Sequence, residues 1–166
     1  MKKIVVIFAL LAIFVIGCSQ KSDKDYLETA KTELAAKEYA AALINFQKIV
    51  DEFPESEHYK FALLQTGELN HGLVNKEISK EVAFEKAIKA YTEYQKKYTD
   101  DPKAPQALFL VGFIQANELG NIEAAKVAYT KFLKLYPESE MAESAHSEID
   151  NLGLAPDEIL LKNMAK

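Results

Sequence analysis

Three stretches of this chain repeat one pattern, and that recurrence restricts the fold before any single residue is weighed. Ile122, Ala125, Tyr129 and Phe132 follow one another at spacings of three, four and three, which puts them on one face of a helix. Tyr136 and Pro137 close the stretch, because proline disfavours helical backbone in the residue before it. Tyr39, Ala42, Phe46 and Ile49 lead in the same way to Phe53 and Pro54, and Phe84, Ala87, Tyr91 and Tyr94 lead to Tyr98. The first positions lie 45 and then 38 residues apart, the range of a helical repeat. These twelve positions are expected to form core between stacked helices, with Phe46, Tyr91 and Tyr129 sharing one repeat position.

Each patterned helix has a partner before it. Ser22 with Asp25 resembles a capping box that starts a helix carrying Leu27, Ala30, Leu34 and Ala35 on one stripe. Pro54-Glu55-Ser56-Glu57 recurs as Pro137-Glu138-Ser139-Glu140, where the serine would cap the next helix and the glutamates would suit its positive end. Phe61, Leu64 and Leu69 mark the second first-helix, and Ser79 starts the second patterned one. Asp100 to Pro105 opens the third pair, whose first helix carries Ala107, Phe109, Leu110, Phe113 and Ile114. Gly120 is free to take the left-handed conformation that ends many helices. The stretch 72–79 is an insertion that accounts for the longer first spacing, and repeat arrays carry insertions in loops on one face. Ser139 to Asn151 and Pro156 to Lys162 read as helices without repeat partners, suited to shield the last apolar face. The expected fold is all-α: a superhelix of about three helix pairs over 25–153 plus C-terminal capping helices, with 154–166 a short final helix or tail.

The N-terminus reads differently. Met1-Lys2-Lys3 is followed by thirteen apolar residues, Ile4 to Ile16. Such a helix is roughly 20 Å long, short of a ~30 Å hydrocarbon core, so residues 1–17 read as a signal peptide rather than a membrane span. The end of the segment, Val15-Ile16-Gly17-Cys18, resembles the lipobox of bacterial lipoproteins, in which the cysteine is lipidated and becomes the mature N-terminus. By that resemblance Cys18 is the lipid attachment site, residues 18–24 are a lipidated tether, and the membrane is reached through the anchor alone. Ser19 stands where the inner-membrane retention signal would place an aspartate, so the resemblance implies an outer-membrane lipoprotein facing the periplasm. Several acyl chains would hold firmly, since each buried methylene contributes about 0.8 kcal/mol.

Composition narrows the chemistry. The formal net charge is −5, and all 20 basic residues are lysine. Without residues 1–17, which hold two of those lysines and no acid, the balance becomes −7. A chain so acidic, without arginine forks, is a poor match for a phosphate backbone, so no nucleic-acid partner is expected. Cys18 is the single cysteine, which rules out an internal disulfide. His58, His71 and His146 are scattered. Glu143 and His146 have the spacing of a di-iron helix, but such a site needs a second copy and facing glutamates, so a solvated face is the simpler reading. No nucleophile elbow, phosphate loop or zinc-protease motif occurs. We expect no enzyme, no cofactor and no metal.

The helix pairs resemble tetratricopeptide repeats. Gly120, Ile122, Ala125, Tyr129, Phe132 and Pro137 fall on that family's second-half signature. The first copy matches at Tyr39, Ala42, Phe46, Ile49 and Pro54, with Lys37 where glycine is usual. The second matches at Phe84, Ala87, Tyr91 and Tyr94 and lacks the closing proline. Ala30, Gly67 and Gly112 are the small residues expected where paired helices cross. Combined with the lipobox, the repeats resemble BamD-type outer-membrane assembly lipoproteins and YbgF/CpoB-type periplasmic proteins. The resemblance implies a lipid-anchored, non-catalytic scaffold that holds protein partners of the cell envelope on a groove. Outer-membrane protein assembly is the leading role; coordination of peptidoglycan synthesis or division is the alternative, and a small-molecule-binding lipoprotein is a third. Groove residues should come from the first helix of each pair, and the candidates are Lys31, Leu34, Glu68, His71, Phe113 and Asn117.

Overall fold

The computed structural model describes residues 21–164. The expected signal peptide, Cys18 and the start of the expected tether lie outside the described residues. The order of elements is α1 (Asp23–Ala35), α2 (Tyr39–Glu52), α3 (Tyr59–His71), α4 (Lys80–Lys97), α5 (Ala104–Phe113), a π-helical turn (Ile114–Glu118), α6 (Ile122–Leu135), α7 (Ala142–Asn151) and α8 (Pro156–Met164). Among the described residues there is no strand.

Local chemistry sets these limits. Ser22 and Asp25 form a reciprocal capping box at α1, which satisfies two backbone donors that a helix start otherwise leaves open. Ser79 caps α4 through the Val82 N–H, and Asn121 caps α6 through the Ala124 N–H. The turn between α1 and α2 takes a left-handed residue, and so does the turn before α6. Gly120 has φ +63° and Lys37 has φ +62°, so a lysine occupies the position that glycine fills at lower steric cost. The two Pro-Glu-Ser-Glu turns correct one expectation. Ser56 accepts from the His58 N–H and Ser139 from the Met141 N–H, so each serine closes a tight turn about one helical turn ahead of α3 or α7. The intervening Pro-Glu-Ser backbone has already turned there, and the helices start only at Tyr59 and Ala142.

Helices that are neighbours in sequence pack on one another from α1 to α7. Their apolar sides merge into three clusters. Leu27, Ala30, Ala42, Phe46, Ile49 and Ala62 join α1, α2 and α3. Tyr59, Leu63, Phe84, Ala87, Tyr91, Tyr94 and Val111 join α3, α4 and α5. Leu108, Ala125, Tyr129, Phe132 and Ala145 join α5, α6 and α7. Helices α3 and α5 each serve two clusters, so each pair completes its core with the next pair's first helix.

Ten of the twelve repeat positions are buried. The other two correct the core assignment: Tyr39 is 43% exposed and Ile122 only half-buried. Both are the first residue of their helices, and no turn lies below them to pack against. Phe84 holds the same repeat position but is buried, because α4 starts four residues earlier, at Lys80.

Candidate functional site

Odd-numbered helices meet on one side of the array. The Ser56 hydroxyl donates to Asp23 at the start of α1. Lys60 on α3 pairs with Asp101, just ahead of α5. At the other end of the same two helices the His71 and Phe113 rings lie 6.2 Å apart between centroids. Even-numbered helices are tied on the far side, where the Gln95 amide of α4 donates to the Tyr136 hydroxyl (3.2 Å) and accepts from the Lys131 ammonium (2.6 Å).

On the odd side, α3 presents Phe61, Leu64, Glu68 and His71 at helical spacing, one stripe from end to end. Its lower half lines a mostly apolar cleft of about 410 Å³ with Tyr94, Pro102 and four charged side chains, Glu57, Lys60, Asp101 and Lys103. Phe61 is 43% exposed there while its ring meets Phe46 edge-on at 5.6 Å, so it is held by core and shown to solvent. Asp101 braces the rim. It accepts from the Tyr94 hydroxyl and from the Lys103 N–H, both at 2.8 Å. The hydrogen bond from Lys60, helped by these two, draws the Asp101 carboxyl down to about 2. The rim is therefore a fixed ion pair beside an apolar floor, a combination that receives a side-chain anchor and orients what surrounds it.

The upper half of the stripe ends in an aromatic cage. His71 meets Phe84 at 6.2 Å, Tyr91 at 6.3 Å and Phe113 at 6.2 Å. Burial among these rings lowers the imidazole's pKa, and the carboxylate of Glu118 opposes that shift.

The six groove candidates fall out unevenly. His71 and Phe113 are brought together, and Glu68 lies on the same α3 stripe, exposed and accepting from the Gln65 amide. Asn117 is exposed on the π-helical turn and donates to the Phe113 carbonyl at 3.2 Å. Lys31 and Leu34 sit on α1, the first exposed beside Glu28 at 3.8 Å and the second packed against the first cluster. The sequence marked Phe61 and Leu64 as apolar residues of α3 and Tyr94 as core, without assigning them to the groove, and gave no sign of Lys60, Asp101 or Lys103 there. The spacing of Phe61 and Leu64 to Glu68 carried the signal for the first two. Asp101 and Lys103 belong to a turn, where no periodicity points inward or outward.

Glu143 and His146 are both exposed on α7. Among the described residues no three His, Cys, Asp or Glu gather as metal ligands, and no helix is long and apolar enough to cross a membrane.

Residues 26–56 and 106–139 match the tetratricopeptide repeat family model. Those segments span α1 with α2 and α5 with α6, each running into its Pro-Glu-Ser turn. Between them lies the middle pair, with its insertion and without a closing proline. No curated protein matches the chain. The all-helical array with these matches is a tetratricopeptide-type α superhelix. Repeats of that type make scaffolds for protein partners, and they are typically non-catalytic.

Proposed function

We propose that the chain is a scaffold of the bacterial cell envelope, anchored through lipid on Cys18 at the periplasmic face of the outer membrane, that receives segments of partner proteins on its odd-helix face. Outer-membrane protein assembly is the role that fits best. The observation that carries the partner-binding part is the cleft between α3 and the turn that leads into α5, where Phe61 is presented to solvent beside a braced ion pair. An extended or helical segment would lay one apolar side chain against Phe61 and Leu64 and set polar groups along Glu68 and His71. The lipid part rests on the sequence around Cys18, and the acidic balance of the body argues for attachment through the anchor rather than through a charged surface.

The test has two arms. Labelled palmitate should enter the wild-type chain and not Cys18→Ser, and the variant should leave the membrane fraction; an unlabelled wild type would remove the anchor from the proposal. Crosslinking in cells followed by mild detergent extraction should recover β-barrel assembly components, and Phe61→Lys should reduce that recovery about tenfold, as loss of a central anchor does. Recovery of cell-wall synthases instead would assign the scaffold to peptidoglycan coordination. Recovery of the bait alone would count against both roles.

A further inference from the structure

The even-numbered side of the array differs from joint to joint. Between α4 and α6 it is closed, because Gln95 bonds both Tyr136 and Lys131. Between α2 and α4 lies a cleft of about 490 Å³, floored by α3 at Leu63 and Thr66. A hollow of about 170 Å³, which shares Gln47, Asp51 and Lys86 with the cleft, carries it on to Asn70. Thr66 and Asn70 stand one turn apart on the same face of α3. They are 3% and 2% exposed. The Asn70 amide donates to the Thr66 carbonyl at 2.8 Å, which leaves Asn70 Oδ1 on the far side of its carboxamide. Neither this oxygen nor Thr66 Oγ1 has a hydrogen-bond partner among the described residues.

Packing alone does not call for these groups. Gly67 of α3 and Gly112 of α5 hold matching places, each beneath a tyrosine ring, so Thr66 corresponds to Val111. Val111 is buried there with the same branched outline and no hydroxyl. Thr29 and Thr32 of α1 give their protons to the carbonyls four residues back; Thr66 does not. Gln115, the match of Asn70, also lacks a partner at Oε1, but beside Val111 it stands alone. A buried polar atom left unpaired keeps its whole desolvation cost. Two such atoms at the floor of one cleft therefore point to a ligand that completes them.

We propose that this cleft binds a small uncharged saccharide, two of whose hydroxyls meet Thr66 Oγ1 and Asn70 Oδ1. A hydroxyl both gives and takes a hydrogen bond, which suits a threonine hydroxyl beside a lone acceptor. The lining favours a neutral ligand, since Asp51 and Glu93 balance Lys86 and Lys89 in the cleft. Lys48, which lines the smaller hollow, is paired with Glu52 at 2.8 Å. Val50, Leu63 and Ala90 offer apolar ground on which the C–H face of a sugar ring can lie. A cavity of roughly 150 Å³ takes one benzene-sized group, so about 490 Å³ holds two or three rings. The cleft opens on the side away from Phe61, and the inference does not depend on partner capture by the odd-numbered helices.

The test is thermal melting of the full chain in a sugar-free detergent, with glucose, maltose, chitobiose and the zwitterion alanyl-alanine as probes. Calorimetric titration follows for any probe that raises the midpoint. At least one saccharide should raise it, increasingly with concentration. Thr66→Val should melt no lower than the wild type, because it removes an unpaired hydroxyl, and should bind that saccharide about tenfold more weakly. Gln47→Trp, on the half-buried wall shared by cleft and hollow, should abolish binding and leave the helical spectrum unchanged. A midpoint that no saccharide moves overturns the proposal, as does binding that both variants leave untouched. A response to alanyl-alanine alone would assign the cleft to zwitterions instead. A lower melting point for ligand-free Thr66→Val would show the hydroxyl to be satisfied within the fold and remove the basis of the site. Phe61→Lys should bind the saccharide as the wild type does, so this proposal and partner capture can fail apart.

Discussion

The Tyr91 ring lies where a side chain on Gly67 would have to go: a Cβ built on that glycine would stand 2.7 Å from Cε1 and 2.8 Å from Cδ1 of the ring. One repeat later, Gly112 and Tyr129 repeat the arrangement at the same two distances. The first helix of a pair is thus flattened at one residue so that the second can press an aromatic ring flat against its backbone. The first pair uses Ala30 and Phe46, both fully buried. Gly67→Ala gains up to about 1 kcal/mol of helix propensity but forces Tyr91 off its rotamer in a filled core, a cost of about 1–3 kcal/mol. The expected outcome of urea unfolding is net destabilisation of up to about 2 kcal/mol. Tyr91→Leu in the same chain should relieve most of the Gly67→Ala penalty, and a double-mutant cycle without coupling would show the contact to be irrelevant.

Lys37 and Gly120 make a matched pair of backbone tests. Their φ angles agree within one degree, and nothing lies within 4 Å of a Cβ at Gly120, so the cost there is conformational alone. Lys37→Gly should stabilise the chain by about 0.5–1 kcal/mol after the added freedom of the unfolded chain is counted, and Gly120→Ala should destabilise it by a similar amount. Thermal melting of both variants checks the two signs together.

Asp101 gives the chain an acid-sensitive brace. Its carboxyl titrates at about 2 in the folded state, against ~3.9 unfolded. A depressed carboxyl contributes stability that is present above the unfolded value and lost as pH falls through the folded one, so the loss should fall between about pH 4 and pH 2. Lys60 is nearly half exposed, so solvent screening holds the contribution to about 1 kcal/mol. Asp101→Asn should flatten this part of the stability profile and also free the Tyr94 hydroxyl. An unchanged profile between those pH values would place the acid sensitivity elsewhere.

His71 works in a different range. Burial lowers its folded pKa below the ordinary ~6.5, so the folded state binds a proton less readily than the unfolded chain. Stability from this group is complete above the unfolded pKa and falls away as pH drops through the lower folded value. Glu118 tempers the shift. Comparison of urea midpoints at pH 7 and pH 5 should show a loss in the wild type that His71→Leu lacks, because leucine fills the cage of Phe84, Tyr91 and Phe113 without a charge to desolvate.

How far the sequence could be read depended on periodicity. Phe46, Tyr91, Tyr129 and their neighbours were legible because their spacing matches the helix and recurs, and their burial follows from stacking. Tyr39 and Ile122 were misplaced because spacing does not reveal where a helix begins, and a first residue has no turn beneath it. Ser56 and Ser139 were misplaced for a related reason: capping chemistry serves a tight turn as well as a helix start. The π-helical turn at Ile114–Glu118 left no trace in the spacing, because one extra residue per turn is hidden by an apolar run with several acceptable registers. Of the candidate face, His71 and Phe113 were named from helix order and the structure sets their rings side by side, whereas Asp101 and Lys103 were beyond reach because their position depends on how two pairs meet.

The sharing of α3 and α5 between clusters has a mechanical consequence. Each joint is made by a helix that is also half of the next joint, so no pair can tilt without shearing its neighbour's packing. A change of side-chain volume at one crossing is therefore felt at the next, because close-packed interiors pass strain on and each repeat contacts its neighbours. The crossings are not alike, with alanine against phenylalanine in the first pair and glycine against tyrosine in the second and third, so a volume change at one crossing is passed to its neighbours through a shared helix.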